Sequence, residues 1–504
     1  MLNRSTISTV ALIAGLVSGQ AALADVSAKE VWENITAIAA MSNEQITGDV
    51  SQKGRTLTVS NTVFSYAAQG ISLTAPIGTL TLTEQKNGTV SISAPATYPM
   101  NVVLTPENGK KLTTTVTIVQ SGLEVIASGS RESLTYDFSA KAVGASFDGL
   151  AAEDGLNEIS ADAAIAGLAG TYNVTPNGAM MLLKSNLAAD ALSIDFGAIA
   201  PEDQGDGHLK MKVAVTDIQT STNSTMPEKV DYSDMSALIA SGIRSDSSFT
   251  YGPATLALDF ADNVESGTVD ARAAAGSVNF ALDAPSMRYG GAQRGVGVTV
   301  TSSKMPLPEV SMQIDSSDFQ VEMPMIRTDD PVDFKLKTAL KGLTISDMIW
   351  NLFDPTKQLP RDPANLVVDM TGLANWAVDI FDTAAVEDLD GPVGELHALD
   401  VNDLELSIAG ASLTGNGAFT FNNADLVTFN GLPAPTGSLN LRLEGGNGLM
   451  DKLVAMGLLQ SDRVMGLRMM LGMFARPGGG VDTLVSDITV TEDGHVLANG
   501  QQLK

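Results

Sequence analysis

Along most of the chain, apolar and polar residues alternate with a period of two. Leu57 and Val59 are interleaved with Thr56 and Thr58, Leu80 and Leu82 with Thr79, Thr81 and Thr83, and Val90 and Ile92 with Ser91 and Ser93. A half-buried strand reads this way, because successive side chains point to opposite faces of a sheet. Asn87-Gly88, between the second and third runs, is a hairpin turn signal. Val116 with Ile118, Leu123 with Val125, and Leu134 with Tyr136 and Phe138 continue the pattern. Residues from about Gln45 to Ala140 therefore predict consecutive antiparallel strands in a meander.

Shorter strands are predicted through the acidic centre, at Gly167 to Val174, Ala179 to Asn186, Leu192 to Phe196 and Leu209 to Asp217. The second half repeats the style at Ser248 to Phe260, Thr268 to Leu282, Gly295 to Ser302, Glu309 to Ile314, Phe319 to Met325 and Phe334 to Leu340. It resumes at Leu366 to Met370, Ala377 to Phe381, Leu396 to Ala409, Ala411 to Phe421 and Gly437 to Leu443. A final hairpin, Ile488 to Thr491 with His495 to Asn499, turns at Asp493-Gly494.

Helical periodicity is confined to short pieces. Ser27 and Glu30 fit a capping box before an apolar stripe of Val31, Trp32, Ile35, Ile38 and Ala39, which predicts a helix from Ala28 to about Met41 docked on the first sheet. Small helices follow near Met235 to Ala240 and, with a Ser346 cap and Pro355 as stop, at Asp347 to Phe353. Near the C-terminus two helices stand together, Asn447 to Leu459 and Arg463 to Ala475, the second after a Ser461-Asp462 cap. The fold class is mainly β (β-rich α+β): elongated antiparallel sheets, meander-like, with a few short capping helices and a C-terminal αα-hairpin. Residues 1–24 read as a leader, 25–240 as an N-terminal β-rich lobe, and 241–504 as a C-terminal lobe ending in the helix pair (447–475) and the hairpin (488–499).

The leader has three parts: Arg4, an apolar run around Val10 to Val17, and Ala22-Leu23-Ala24 before Asp25. That is the pattern of a secretory signal peptide, with cleavage expected between Ala24 and Asp25. No later segment reaches 18 uninterrupted apolar residues, so no transmembrane helix is expected in the mature chain. An exported periplasmic location follows, with an extracellular one as the alternative.

Composition narrows the chemistry. The chain has 504 residues, no Cys, three His, and Asp+Glu 58 against Lys+Arg 30, a formal net charge of -28. Without cysteine there is no disulfide framework, zinc ribbon, thiol nucleophile or iron–sulfur ligation. The acidic balance repels phosphate backbones, so nucleic acid is not an expected partner. The three histidines, His208, His397 and His495, fall in predicted loops or turns, far apart in the chain. A Gly-x-Ser-x-Gly nucleophile elbow is missing. Gly446-Asn447-Gly448 reads as a tight strand-to-helix turn, not a dinucleotide site. Asp203 and Asp206, with Glu202 in a glycine-bearing loop, are the weak candidates for calcium, but they lack EF-hand spacing and a solvated acidic turn is the favoured reading. No cofactor is expected.

The Arg463 to Ala475 segment carries Met465, Met469, Met470, Met473 and Phe474, apolar almost all round. Methionine suits irregular apolar contacts such as acyl chains or partner helices; the favoured reading is a hairpin buried on most sides at the end of a sheet. The strand faces allow the same two readings: an open trough would shield lipid tails, and a closed sheet would bury them as core.

Several blocks resemble one family. The Val31-Trp32-Glu33 helix, SDMIWNLFDPTKQLPRDPANLVVDMTG (346–372), LPAPTGSLNLRLEGGNGLMDKLVAMGLL (432–459), MGLRMMLGMFARPGGGVDTL and the late GHVLANGQQL are similar to the domain of unknown function 2125, a family of exported bacterial envelope proteins. No catalytic residues come with that resemblance. A looser similarity, to periplasmic YdgA-like and AsmA-like proteins, implies a long curved sheet and, for the AsmA-like members, lipid traffic. The expected function is a non-enzymatic periplasmic protein that handles a hydrophobic or lipid ligand, or supports envelope assembly with other envelope proteins. A secreted or surface adhesive protein, and a hydrolase working through a carboxylate pair, are the alternatives.

Overall fold

Ser27 and Glu30 open the first helix by capping each other. The Ser27 amide and hydroxyl donate to the Glu30 carboxylate at 3.0 and 2.8 Å, and the Glu30 amide donates back to Ser27 Oγ at 3.3 Å. Amides that lack a partner in the first turn are thereby satisfied. The computed structural model describes residues 26–503 apart from 42–43, 69, 106–110, 153–154, 201–206, 228–234, 285 and 390. The leader with its Ala24–Asp25 junction, and Asp203 and Asp206, lie outside the described residues. Helix α1 spans Ala28–Met41. Its Val31, Trp32, Ile35 and Ile38 are buried against Leu57, Val59, Leu82, Val90, Val125 and Leu134. Each such side chain contributes about 1.5–3 kcal/mol by burial, so this cluster anchors the helix as its stripe predicts.

Two compact units divide the chain: residues 1–234, 241–275 and 300–306, and residues 235–240, 276–299 and 307–504. The first carries β1 (Glu44–Lys53), β2 (Thr56–Ala68), β3 (Ile71–Glu84), β4 (Val90–Ser93), β5 (Thr97–Leu104), β6 (Leu112–Ser121) and β7 (Glu124–Ser130). It continues with β8 (Ser133–Ala152), β9 (Gly155–Asn177), β10 (Met180–Ile199), β11 (His208–Pro227), β12 (Arg244–Tyr251), β13 (Ala254–Ala261) and β14 (Ser266–Ala273). Antiparallel pairing is consecutive for β1 to β3 and for β8 to β11. Between them it departs from a meander. β3 pairs with β5 along Ile71–Thr74 and with β4 along Thr81–Glu84; β5 pairs with β6 and β4 with β7. β7 and β6 then lie end to end along β8. The long strands expose more ladder than one short partner can satisfy, and two collinear strands supply it.

β9 to β11 are far longer than the fragments read from sequence. Ala, Gly, Ser and Asp are frequent in β9 and β10, and Gly167 (φ 60°) and Asp217 (φ 53°) take left-handed conformations beside Asp190, where the pairing of β10 with both neighbours is interrupted. These gaps break the alternation without shifting the register or ending the strands.

The second unit holds α2 (Met235–Ala240), most of β15 (Ala275–Asp283) and β16 (Ser286–Ser302), then β17 (Val310–Pro324), β18 (Val332–Ile345), α3 (Asp347–Phe353), β19 (Ala364–Trp376), α4 (Thr383–Glu387) and β20 (Gly394–Ile408). β21 (Ala411–Asn422), β22 (Ala434–Glu444), α5 (Gly446–Ala455), α6 (Ser461–Phe474), β23 (Arg476–Pro477), β24 (Thr483–Val490), β25 (Val496–Ala498) and β26 (Gln501–Gln502) complete it. Strands β17 to β22 pair consecutively and antiparallel, and β22 pairs with β24. The fold is mainly β and antiparallel, with a few short helices and the C-terminal helix pair.

Three local expectations are corrected. Ala377 to Phe381 is no strand: β19 runs to Trp376, whose indole donates to the Pro324 carbonyl at 2.8 Å, and the chain then turns into α4 under an Asp382 cap. Ser346 stands at the N-cap of α3 without a side-chain hydrogen bond, and its hydroxyl is buried without a partner. The cap of α6 is Gln460, also without a side-chain bond.

Candidate functional site

The register of the second unit sorts its side chains by face. Cross-strand pairs link Leu340 to Leu366, Leu366 to Leu406, Leu406 to Leu413, Leu413 to Leu443 and Leu443 to Leu484. Residues paired in this way share a face, so six leucines form one row across six strands. The neighbouring row runs Phe319, Thr338, Val368, Leu404, Gly415, Leu441 and Ser486, and the next Val321, Leu336, Met370, Val401, Gly417, Leu439 and Ile488. Glycines in these rows leave room for their neighbours: a side chain on Gly415 would meet Leu441 Cδ2 at 2.7 Å.

The opposite face is polar. Lys337 pairs with Asp369 and Asp369 with Asp403. Asn402, the extra residue of a bulge, donates to Thr371 Oγ1 at 3.0 Å, and Arg442 donates to Glu444. A sheet this two-sided is built to have its apolar face covered. Yet Phe319, Leu336, Leu366, Leu406 and Ile408 remain 39%, 43%, 39%, 44% and 48% exposed. Together they open on the order of a few hundred Å² of apolar surface, the range in which a patch marks an interaction site.

The helix pair stands at one end of the leucine row. Gly445 adopts φ 69° as the N-cap of α5, and Gly446, buried, sits against Leu443. The conformational freedom expected at Gly446 falls one residue earlier, on Gly445. Asp482 ties the base together: it accepts from the amides of Asn447 and Gly448 at 3.2 and 2.8 Å, and Arg468 bonds Asn447 Oδ1 at 3.1 Å and Asp451 at 2.8 Å. Burial pushes the Asp482 carboxyl up, but those donors outweigh it and hold it below the usual range.

The methionine helix is not buried on most sides. Val464 is its buried residue, while Met465, Met469, Met470, Met473 and Phe474 are all exposed. Two further contacts fix only its last turn, from Ser486 Oγ and Asn499 Nδ2 to the Phe474 carbonyl. Apolarity all round, which reads from sequence as burial, here means that α6 presents apolar atoms to solvent on several sides.

The histidines are not brought together. His208 opens β11 and contacts Asp259 at 3.2 Å, and His495 lies in the turn before β25 against Gln502. His397 differs from its predicted loop: it lies inside β20, where the register shifts, and bonds Asn375 Oδ1 at 2.7 Å. Among the described residues no three His, Asp or Glu side chains converge as a metal site, and no helix is long and apolar enough to cross a membrane. In the first unit a concavity of about 480 Å³ is lined by Ser146, Asp162, Ser193, Asp195 and Lys212 among small residues. Lys212 and Asp195 pair there but are mostly open to water, which screens such pairs.

These features define an antiparallel β-protein with one open apolar face. The chain belongs to the family described as an uncharacterized protein conserved in bacteria (DUF2125), whose model matches residues 243–499. That stretch contains β17 to β25 and both helices of the C-terminal pair. No curated protein and no solved structure matches the chain.

Proposed function

We propose that this chain is an exported, non-enzymatic envelope protein that holds the hydrocarbon part of a lipid against the apolar face of its C-terminal unit. The observation that carries the reading is the leucine row from Leu340 to Leu484, with Leu366 and Leu406 more than a third open to water. Acyl chains fit such a face because they need no directional partners, and each methylene moved from water onto it contributes up to about 0.8 kcal/mol. The absence of charge from these rows agrees with an apolar occupant. The leader-like N-terminus of Arg4, an apolar run and Ala22-Leu23-Ala24 supports export, and three dispersed histidines favour a carrier over a catalyst.

Titration with a fluorescent fatty acid tests this. Saturable binding that Leu366→Glu abolishes, with secondary structure kept, is expected. No saturable binding by the wild-type chain overturns the reading.

A further inference from the structure

One end of the C-terminal unit gathers exposed apolar side chains from several elements. The register sets the place. β18 leaves the sheet at Ile345 into α3, β19 enters at Ala364, β20 turns into β21 through Ala409-Gly410, β22 passes through Gly445 into α5, and Thr483 pairs with Glu444. These segments touch one another. A side chain on Gly410 would meet Pro360 at 2.9 Å, one on Gly445 would meet the Gly410 carbonyl at 2.3 Å, and the Gly445 amide donates to the Asp482 carbonyl at 2.9 Å.

Polar groups stiffen this platform from within. Asp354 is fully buried and accepts from the amides of Gln358 and Leu359, both at 2.8 Å. Arg361, packed over Trp350, donates to Asn351 Oδ1 at 2.7 Å and to Asp347. From the platform project Leu352 of α3, 60% exposed, Met469 of α6, 68% exposed, and Val481 before β24, fully exposed. Phe353, Leu458 and Met465 are also open.

Two observations choose the partner. The projections come from three separate elements, so a fluid apolar phase suits them better than one shaped groove, and flexible methionine suits it too. Charge agrees. The whole chain carries 58 Asp and Glu against 30 Lys and Arg, but residues 341–363 and 444–483, which build this end, carry seven against seven. An anionic surface that repels most of the chain is not repelled here.

We propose that this end of the C-terminal unit docks on a lipid bilayer, with Leu352, Met469 and Val481 inserted among the acyl chains. The inference rests on the lipid reading above, because the row Leu340, Leu366, Leu406, Leu413, Leu443 and Leu484 reaches the sheet at this same end, where a lipid leaving the bilayer would meet it.

Vesicle flotation of the full chain tests it, with vesicles of phosphatidylethanolamine and phosphatidylglycerol against vesicles of phosphatidylcholine alone. The wild-type chain is expected to float with both kinds of vesicle, because apolar insertion drives the docking and the end that docks carries nearly balanced charge. Leu352→Ser, Met469→Ser and Val481→Ser together are expected to cut the bound fraction by roughly tenfold or more. Each single variant, with an unchanged melting curve, should lose part of it. A wild-type chain that stays at the bottom of the gradient overturns the proposal, as does a triple variant that floats like wild type. A wild-type dimer that the triple substitution dissociates, without flotation, overturns it in favour of a second copy as occupant. Flotation by a protein that never carries lipid would sink the reading of the sheet face and leave the docking intact; bound lipid without flotation would do the reverse.

Discussion

Leu366 and Leu406 face each other across β19 and β20 on the apolar side of the C-terminal unit, and 39% and 44% of their surfaces remain open to water. In an ordinary antiparallel sheet such a pair would be covered by a second layer. Because they are half open, a charge at either position costs little folding stability. Leu406→Lys is expected to leave the melting temperature nearly unchanged, within the range of about 0.5 kcal/mol typical of surface substitutions, and to abolish lipid binding. Calorimetry alongside fatty-acid titration checks both halves.

The first unit should respond in the opposite way. Leu82 and Leu57 are buried in the cluster that receives α1. Leu82→Ala is expected to cost about 2–5 kcal/mol, against under about 1.5 kcal/mol for Leu336→Ala on the open face. Urea unfolding of the two variants should order them this way; equal costs would mean that the C-terminal face is covered.

The cap of α1 has its own pH signature. Hydrogen bonds from the Ser27 amide and hydroxyl hold the Glu30 carboxyl below its usual 4.5. A depressed folded value means that the stabilisation is complete above pH 4.5 and is lost as the pH falls through the lower folded value. Ser27→Ala is expected to cost about 1 kcal/mol. Glu30→Gln should keep the cap at neutral pH and flatten this part of the acid limb, as read by thermal melts across that window.

At the alkaline end, burial raises both Tyr136 and Tyr172, the latter to about 12. A phenol whose folded value lies above its ordinary 10.0 favours the folded state fully below pH 10, and that contribution fades as the pH climbs toward about 12. Spectrophotometric titration should therefore show two tyrosines ionising only as the first unit unfolds. Tyr136→Phe, which strands Asn34 Oδ1, is expected to cost about 1 kcal/mol.

Asp354 is expected to organise the chain between α3 and β19. Burial pushes its carboxyl up, but the Gln358 and Leu359 amides, with Arg361 nearby, bring it below the usual range. Its contribution is therefore present above the ordinary value of 3.8 and lost as the pH drops through the lower folded one. Asp354→Ala should lower the melting temperature and open residues 355–363 to proteolysis, with the strand signal in circular dichroism retained. Asp354→Asn should fall between, since it keeps one acceptor and turns an amide toward donors.

What could be read from sequence was the local grammar. Ser27 with Glu30, Asn87-Gly88, the Met235–Ala240 helix and the alternation of Leu439, Leu441 and Leu443 all state their conformation within a few residues. Registers between strands are not local. Nothing in the sequence near Leu366 says that Leu406 will lie beside it, so the leucine row became visible only with the pairing. The 20-residue strands β10 and β11 read from sequence as fragments because Gly167, Asp190 and Asp217 interrupt the period at gaps in the pairing that the strands pass through in register. The α6 helix misled for another reason. Burial depends on what packs against a helix, and its own residues, apolar on every side, carry no information about that.

The most direct measurement of lipid carriage is mass spectrometry of extracts from the wild-type protein and from Leu366→Glu, both purified from bacterial cells without detergent. Near-stoichiometric lipid in the wild type and its loss in the variant are expected. A wild-type protein that is reproducibly free of lipid would contradict the assignment of the apolar face.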